Sequence, residues 1–334
     1  PFDGNITVNS GTLRFSPTGS PAQSGPPATV IYNGGTLQFL SDVSTTFTTK
    51  LAPVSSVTVN VDRQGGSNMG NTITLGGLTL NNQRITANGG NGYNLAFTGT
   101  TTLTGPGQAQ FQPNTAQIFL NGVVTGPGGF EKFGAATMTI GGSQSNNFTG
   151  GVLVNSLLLL NKTGGATAIS GPMTVNSTVQ LLGADQIGDL VAVTVNATGT
   201  LNPNNFNETL GSLAGTGSVT LGSSTLTTGA AGDSTFSGVI SGTGALVKDG
   251  AATTFTLSSA NTYSGATTVL AGTLAVSADG ALGTVAGGTD VLPGGTLLLT
   301  NAITYATAEP LSISGPGAAG AGALSSNNGE TWPN

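Results

Sequence analysis

Residues 238–276 read GVISGTGALVKDGAATTFTLSSANTYSGATTVLAGTLAV, and this stretch decides the fold. Apolar and hydroxyl residues alternate with period two in its short segments, as in Phe255-Thr256-Leu257, and Gly, Asn or Asp interrupts each segment. A period of two places the aliphatic side chains on one face of a pleated strand. The segments are roughly four to six residues long and their spacers are too short for helices. The stretch therefore predicts a succession of short β-strands.

A second copy lies upstream at 122–160, GVVTGPGGFEKFGAATMTIGGSQSNNFTGGVLVNSLLLL. Seven residues between Gly122 and Thr137 recur at a constant offset of 116, so that Lys132 corresponds to Lys248. After two one-residue slips, Phe148 corresponds to Tyr263. A unit of roughly forty residues is too short for a domain and indicates an array of repeats.

Both units resemble the autotransporter-associated β-strand repeat, which occurs in passenger regions of bacterial autotransporters and in other very large surface proteins. The resemblance is carried by the G-x-G-x-L-x-K-x-G run at 242–250, by NTYSGATTV at 261–269 and by AGTL at 271–274. The upstream copy departs from the pattern at Phe130, where Leu is usual, and at Leu157, where Gly-Thr-Leu is lost. The resemblance implies rungs of a right-handed parallel β-helix and an extracellular location on the bacterial surface.

The rung length follows from three near-identical segments that begin at Val154, Val175 and Val195 and are almost equally spaced along the chain. Equal spacing in a parallel stack places Val on Val and the following Asn on Asn, whose amides can form ladders along the axis. We therefore predict an all-β chain, a parallel β-helix (β-solenoid) of about 20 residues per rung with no significant α-helix. A β-sandwich or a propeller predicts no such recurrence and ranks behind.

The whole chain, 1–334, is predicted to form one continuous β-solenoid of degenerate repeats, clearest at 122–160 and 238–276. Residues 16–27 are rich in Pro, Gly and Ser and are expected to form a loop that leaves the stack. The segment Phe2 to Val8 reads like the second half of NTYSGATTV, and Thr331 to Asn334 like its first half, with Trp332 in the place of Tyr263. Two explanations stay open: a segment of a longer chain or fibre, or subunits that self-associate end to end through these edge rungs.

Composition excludes several functional classes. Only 6% of the residues are charged, against roughly 25% in ordinary domains. The sequence contains no Cys and no His, so it offers no thiol chemistry and no imidazole base. Its seven Lys and Arg are scattered, which predicts no nucleic-acid partner. No apolar run approaches the roughly 20 residues of a membrane span, which predicts no membrane insertion by this segment.

Few residues are candidates for chemistry. Asp185 and Asp189 share one turn, which is interpreted as a solvated loop, with a weak cation site or catalytic pair as the alternative. Gly232-Asp233-Ser234 cannot form a Ser-His-Asp relay without a His and is predicted to be a turn ahead of a strand. Residues 315–320 fit G-x-G-x-x-G, but neither the strand before nor the helix after that dinucleotide binding needs is expected beside Pro316.

Two pairs of equivalent repeat residues are assigned structural roles. Lys132 and Lys248 are predicted to be exposed and to guard strand edges rather than to act as bases. Phe148 and Tyr263 are predicted to plug the interior of the stack at equivalent corners.

No catalytic, cofactor-binding or metal-binding residue is assigned, and the chain is not expected to be an enzyme. The favoured function is an extracellular structural β-helix that forms a stalk, fibre or filament on the bacterial surface. An adhesin passenger that binds host or neighbouring cells is the alternative. A polysaccharide-active β-helix enzyme ranks last, because it would need carboxylates that converge in one groove.

Overall fold

The computed structural model describes residues 5–16, 29–306, 309–327, 329 and 331–332. They belong to two compact units, Pro1–Pro172 (unit 1) and Met173–Asn334 (unit 2). The described part contains parallel β-strands and one short 3-10 turn, Ala318–Gly320, and no α-helix, so the all-β prediction is confirmed. Within these residues, no helix has the length and apolar character needed to cross a membrane.

Unit 1 is built from three parallel sheets, each of which takes a strand from most turns of the chain. Sheet A runs β1-β3-β6-β9-β12-β15, sheet B runs β2-β4-β7-β10-β13-β16-β18, and sheet C runs β5-β8-β11-β14-β17-β19. The strands are β1 (Ile6–Val8), β2 (Thr12–Phe15), β3 (Thr29–Tyr32), β4 (Thr36–Leu40), β5 (Thr45–Thr46), β6 (Lys50–Pro53), β7 (Val57–Asp62), β8 (Thr72–Leu75), β9 (Leu78–Leu80), β10 (Arg84–Gly89), β11 (Asn94–Phe97), β12 (Thr101–Leu103), β13 (Gln108–Pro113), β14 (Ile118–Leu120), β15 (Val124–Thr125), β16 (Gly129–Lys132), β17 (Met138–Gly142), β18 (Val152–Val154) and β19 (Leu158–Lys162).

Unit 2 repeats this plan. Sheet D runs β20-β22-β25-β28-β31-β32-β33-β35, sheet E runs β24-β27-β30-β32-β33-β34, and sheet F runs β21-β23-β26-β29. The long strands β32 and β33 belong to two sheets. The strands are β20 (Met173–Val175), β21 (Thr178–Leu181), β22 (Ala192–Val195), β23 (Thr200–Asn202), β24 (Glu208–Leu210), β25 (Ser212–Gly215), β26 (Ser218–Thr220), β27 (Thr225–Thr228), β28 (Ser234–Phe236), β29 (Val239–Ser241), β30 (Ala245–Lys248), β31 (Thr254–Leu257), β32 (Thr267–Val276), β33 (Thr289–Leu299), β34 (Leu311–Ile313) and β35 (Leu324–Ser326).

The in-register partners give the length of a turn. Val175 pairs with Val195 on the next turn, which confirms the predicted stacking of Val on Val in unit 2. Turn length varies along the chain: the turn that pairs Thr200 with Ser218 is short, and the turn that pairs Val57 with Ile85 is long. A turn averages about 22 residues, close to the predicted 20. The hand of the coil, and its continuity over residues 1–334, stay predictions.

The interior and the amide ladders agree with the sequence pattern. Phe148 and Tyr263 are fully buried, as expected of plugs. The predicted ladder of asparagines is present where Asn196 Nδ2 donates to Asn176 Oδ1 at 2.6 Å. In unit 1, Asn88 Nδ2 donates to Asn60 Oδ1 at 3.0 Å. Such bonds satisfy polar side chains that neighbouring turns bring together.

Some expectations fall outside the described residues. The loop predicted at 16–27 lies outside them except for Ser16. Residues 1–4 and 333–334 of the two edge segments also lie outside them. Of those segments, Ile6 pairs with Val30, and the Trp332 ring stacks on Tyr305 with the ring centroids 4.7 Å apart. End-to-end self-association stays a prediction.

We expect Phe148→Ala to destabilise the protein strongly, because Phe148 is fully buried and packs edge-on to Phe130 at a centroid distance of 5.7 Å. Emptying such a site costs about 3–5 kcal/mol of unfolding free energy. Urea unfolding followed by circular dichroism measures the loss. Met69→Ala is the control, since Met69 is 70% exposed in the same unit. Equal losses in the two variants would contradict the assignment of Phe148 as a plug.

Candidate functional site

Lys132 lies at the end of β16 and is completely buried. Its Nζ donates to the carbonyl oxygens of Gly134 at 3.2 Å and Ala136 at 3.0 Å, and to the hydroxyl of Ser156 on the next turn. The corner after the strand bends back over the ammonium because Gly134 has φ +94°, a conformation that other residues rarely adopt. The ammonium therefore joins two successive turns.

Lys248, at the end of β30, repeats this arrangement in unit 2. Its Nζ donates to Asp249 O at 2.6 Å, Gly250 O at 3.0 Å and Thr253 Oγ1 at 3.1 Å within its own corner. It also donates to Ala271 O at 3.0 Å on the following turn. The prediction that both lysines are exposed was wrong. Their side chains occupy inward positions of the strand, and the corner carbonyls satisfy the ammonium there.

Burial also changes the acid–base state of the amines at the two lysine corners. Burial lowers the pKa of Lys132 and of Lys248 to about 8, and also that of Lys162, whose Nζ donates to Gly122 O at 3.0 Å. At pH 7 all three remain protonated and keep their donors. The sequence signal for this role was the Lys-x-Gly spacing shared by both repeats.

A buried asparagine bridges three turns in each repeat, and sequence reasoning missed it. Asn146 Oδ1 accepts from Val124 N at 2.8 Å, and its Nδ2 donates to Ala168 O at 2.8 Å. Asn261 does the same between Ile240 N at 2.8 Å and Ala281 O at 2.6 Å. These asparagines lie two residues before the plugs, so the spacing Asn-x-aromatic was the available signal.

Asp185 and Asp189 are both exposed on the turn between β21 and β22. The buried acid of this region is Glu208, at the start of β24. Its carboxylate accepts from Gln186 N at 2.8 Å and Ile187 N at 3.1 Å. Burial, with a smaller contribution from the charge of Asp185, raises the pKa of Glu208 to about 8. The described residues contain no group of three potential metal ligands, and cation binding by the aspartate pair stays untested.

Two further motifs have structural explanations. Gly232-Asp233-Ser234 is the predicted turn ahead of a strand, with Asp233 Oδ1 accepting from Thr254 N at 2.7 Å. Residues 315–320 follow β34, so the expectation that no strand would precede them was wrong. A 3-10 turn rather than an α-helix follows, and it lacks the helix N-terminus that a dinucleotide phosphate requires.

The outward face of sheet B carries a polar ladder on successive turns. Arg84 Nε donates to Gln110 Oε1 at 3.1 Å, and Gln110 Nε2 donates to Glu131 Oε2 at 2.9 Å. Asn155 Nδ2 donates to the other oxygen of Glu131 at 2.7 Å. The Arg84 guanidinium lies 5.1 Å from the centroid of the Phe133 ring. This face presents fixed donors and acceptors to solvent.

A shallow depression on the outer surface of sheet D, which we call the Asp233 groove, crosses three turns. At this place Ser234 follows Val193 and Leu213 in an inward column otherwise made of large apolar residues. The Ser234 hydroxyl is buried and has no hydrogen-bond partner among the described residues. Besides Ser234, the groove is lined by Ser212, Ala214, Asp233, Thr235, Thr254 and Thr256.

A comparison with known proteins finds similarity in the two segments that contain the lysine corners. The passenger-associated-transport-repeat family matches residues 130–156 and 246–276, within the two repeats drawn from the sequence. The adhesin BmaC autotransporter of Brucella suis biovar 1 (strain 1330) is 29% identical over 251 residues. The chain thus contains two segments similar to passenger-associated-transport repeats and is similar to part of an autotransporter adhesin. No solved structure matches the chain.

The match with the Brucella adhesin covers 71% of this chain but only 7% of the adhesin. The expected resemblance to autotransporter repeats is confirmed, and so is the extracellular location at the cell surface. Each passenger repeat contains a lysine corner, a bridging asparagine and an aromatic plug, and the family pattern thus corresponds to contacts that hold successive turns together.

We expect Lys132→Met to lower the unfolding free energy by about 2 kcal/mol, because buried carbonyl acceptors lose their donor. Lys50→Met is the matched control, since Lys50 is an exposed lysine in the same unit. Surface substitutions of this kind change stability by about 0.5 kcal/mol or less. Urea titration of both variants measures the change in unfolding free energy. A Lys132 variant as stable as the control would exclude a stabilising role for the hydrogen bonds of Lys132.

Glu208 gives stability a pH dependence. A carboxyl whose pKa is higher in the folded state contributes stability that is complete below its unfolded pKa, near 4.5, and is lost as pH rises through about 8. Between about pH 5 and 7 the unfolding free energy should therefore fall for the wild type and fall less for Glu208→Gln. The buried lysines keep their protons in this window. Asp189→Asn, an exposed change on the same turn region, should retain the full slope, and identical slopes in all three proteins would refute the assignment.

Proposed function

We propose that this chain is a stretch of stalk within an autotransporter passenger, holding other segments of that passenger away from the cell. The observation that carries the proposal is the set of buried side chains that form hydrogen bonds with neighbouring turns. Lys132 and Lys248 join neighbouring turns, and Asn146 and Asn261 join three. Such bonds add to the parallel ladders and resist separation of the turns.

The chemistry of the buried ionisable groups favours a role without catalysis. The amines of Lys132 and Lys248 are directed into their own corners, and the Glu208 carboxylate is held by two backbone N–H groups. These three groups are among those with strongly shifted pKa values, which a catalytic site would use. Their hydrogen bonds are made within the fold, which supports a structural assignment over a polysaccharide-active one.

An adhesive role is the second candidate, and two observations favour it. The Brucella suis relative is named an adhesin. The ladder from Arg84 to Asn155 presents a fixed row of polar groups beside the Phe133 ring, a combination of planar polar and aromatic groups that can contact a ligand.

The two functions predict different binding of the isolated chain to host cells. Beads coated with residues 1–334 should bind host cells no more than albumin-coated beads if the segment is a stalk. Saturable binding above that background, reduced by Arg84→Ala together with Gln110→Ala, would overturn the stalk in favour of the adhesin. Circular dichroism of the variant must match the wild type for the comparison to count.

A further inference from the structure

The formal charges of the chain are segregated between the two units. Residues 1–172 contain six bases and four acids, a net charge of +2, and residues 173–334 contain one base and nine acids, a net charge of −8. The two values sum to the −6 of the whole chain. The single base of the second unit is Lys248, which is buried. Unit 2 therefore presents no cationic side chain to solvent, and acids are the charged side chains of its surface.

In unit 1 the carboxylates of Asp42 and Glu131 accept hydrogen bonds within the fold, while Arg14 and Arg84 are exposed. Asp42 Oδ1 accepts from three backbone N–H groups, those of residues 64–66, and Glu131 accepts from Gln110 and Asn155. Arg14 and Arg84 are exposed on the outer surface of sheet B. Among the described residues neither makes an ion pair.

The two arginines are also oriented. Arg14 Nε donates to Gln38 Oε1 at 2.8 Å, and Arg84 Nε donates to Gln110 Oε1 at 3.1 Å. A guanidinium held through Nε keeps its two terminal NH₂ groups for a further acceptor, and a carboxylate is the acceptor that matches their geometry best. Both side chains lose part of their rotamer freedom in advance, which lowers the entropy cost of an intermolecular contact.

The Asp233 groove of unit 2 offers such an acceptor. Asp233 is exposed and lines the depression, and its Oδ1 accepts from the backbone N–H of Thr254. Hydroxyl residues from three turns line the groove around it, among them the exposed Thr235 and the half-buried Thr254. These small uncharged side chains leave room for a planar cation and supply additional oxygen acceptors.

We propose that two copies of this chain associate laterally, with the sheet B arginines Arg14 and Arg84 of one copy docking at the Asp233 groove of the other. The occupant is a second copy because the same chain carries both the exposed arginines and the exposed acids. An exposed ion pair contributes little binding free energy, so a single contact is weak. Copies displayed together on a surface engage in parallel, and multivalency then raises the overall strength.

The proposal is tested by sedimentation velocity of residues 1–334 over a range of protein concentrations. Association should be present at about 0.01 M salt and absent at about 1 M, where the Debye length falls from roughly 30 Å to 3 Å. Asp233→Arg should weaken association at least about tenfold, and so should Arg14→Asp combined with Arg84→Asp. A mixture of these two variants should restore it, because each then supplies the charge that the other lacks.

Asp290→Arg is the matched control, because Asp290 is an exposed acid of the same unit on sheet E and outside the groove. A loss as large as that of Asp233→Arg would overturn the groove as the docking site. A wild type that stays monomeric at low salt would overturn the proposal. Association that persists in 1 M salt and in both charge variants would also overturn it, and would point to the edge rungs instead. None of these results changes the outcome expected for the stalk in the host-cell binding assay.

Discussion

The structure depends on one constraint: each turn must satisfy the backbone of its neighbours by in-register parallel pairing. On the flat sheets this costs little, because strands such as β22 and β25 match residue for residue over their length. A stack of this kind also aligns identical side chains, which is why Val175 lies beside Val195 and Asn176 beside Asn196. Buried polar groups that found no partner would cost about 1–3 kcal/mol each, so the pairing has to be nearly complete.

The corners are where this constraint cannot be met by strand pairing. The chain changes direction there, and carbonyl oxygens such as those of Gly134 and Ala136 point inward without an opposing strand. Lys132 supplies a buried donor with a long apolar stem, so the same side chain fills core space and satisfies the corner. A shorter donor could not span the distance from the strand end to the carbonyls. The lysine of the repeat is thus explained by geometry rather than by chemistry at the surface.

The sequence was most informative where a residue repeats at the spacing of a turn. Val175, Val195 and the plugs Phe148 and Tyr263 were found in this way, because burial of an apolar side chain is visible in a period of two and in its recurrence. The buried position of Lys132 and Lys248 was not, since a charged residue is normally exposed and only the three-dimensional corner shows its acceptors. Glu208 was missed for the same reason. Its donors, Gln186 N and Ile187 N, come from the preceding turn, far away in the sequence.

The scarcity of charge follows from the same architecture. Flat faces built from Thr, Ser, Asn and Gln can bond to their copies on adjacent turns, whereas like charges at a spacing of about 4.8 Å would repel one another along the axis. Charged residues therefore remain where a partner of different chemistry is available: Glu131 between Gln110 and Asn155, Lys248 inside its corner. Asp233 and Arg14 are exceptions to this rule. Each is exposed and held by one hydrogen bond to its own fold, and the charge of Asp233 also acts on the buried Lys248. The stacking constraint accounts for their orientation but not for their charge.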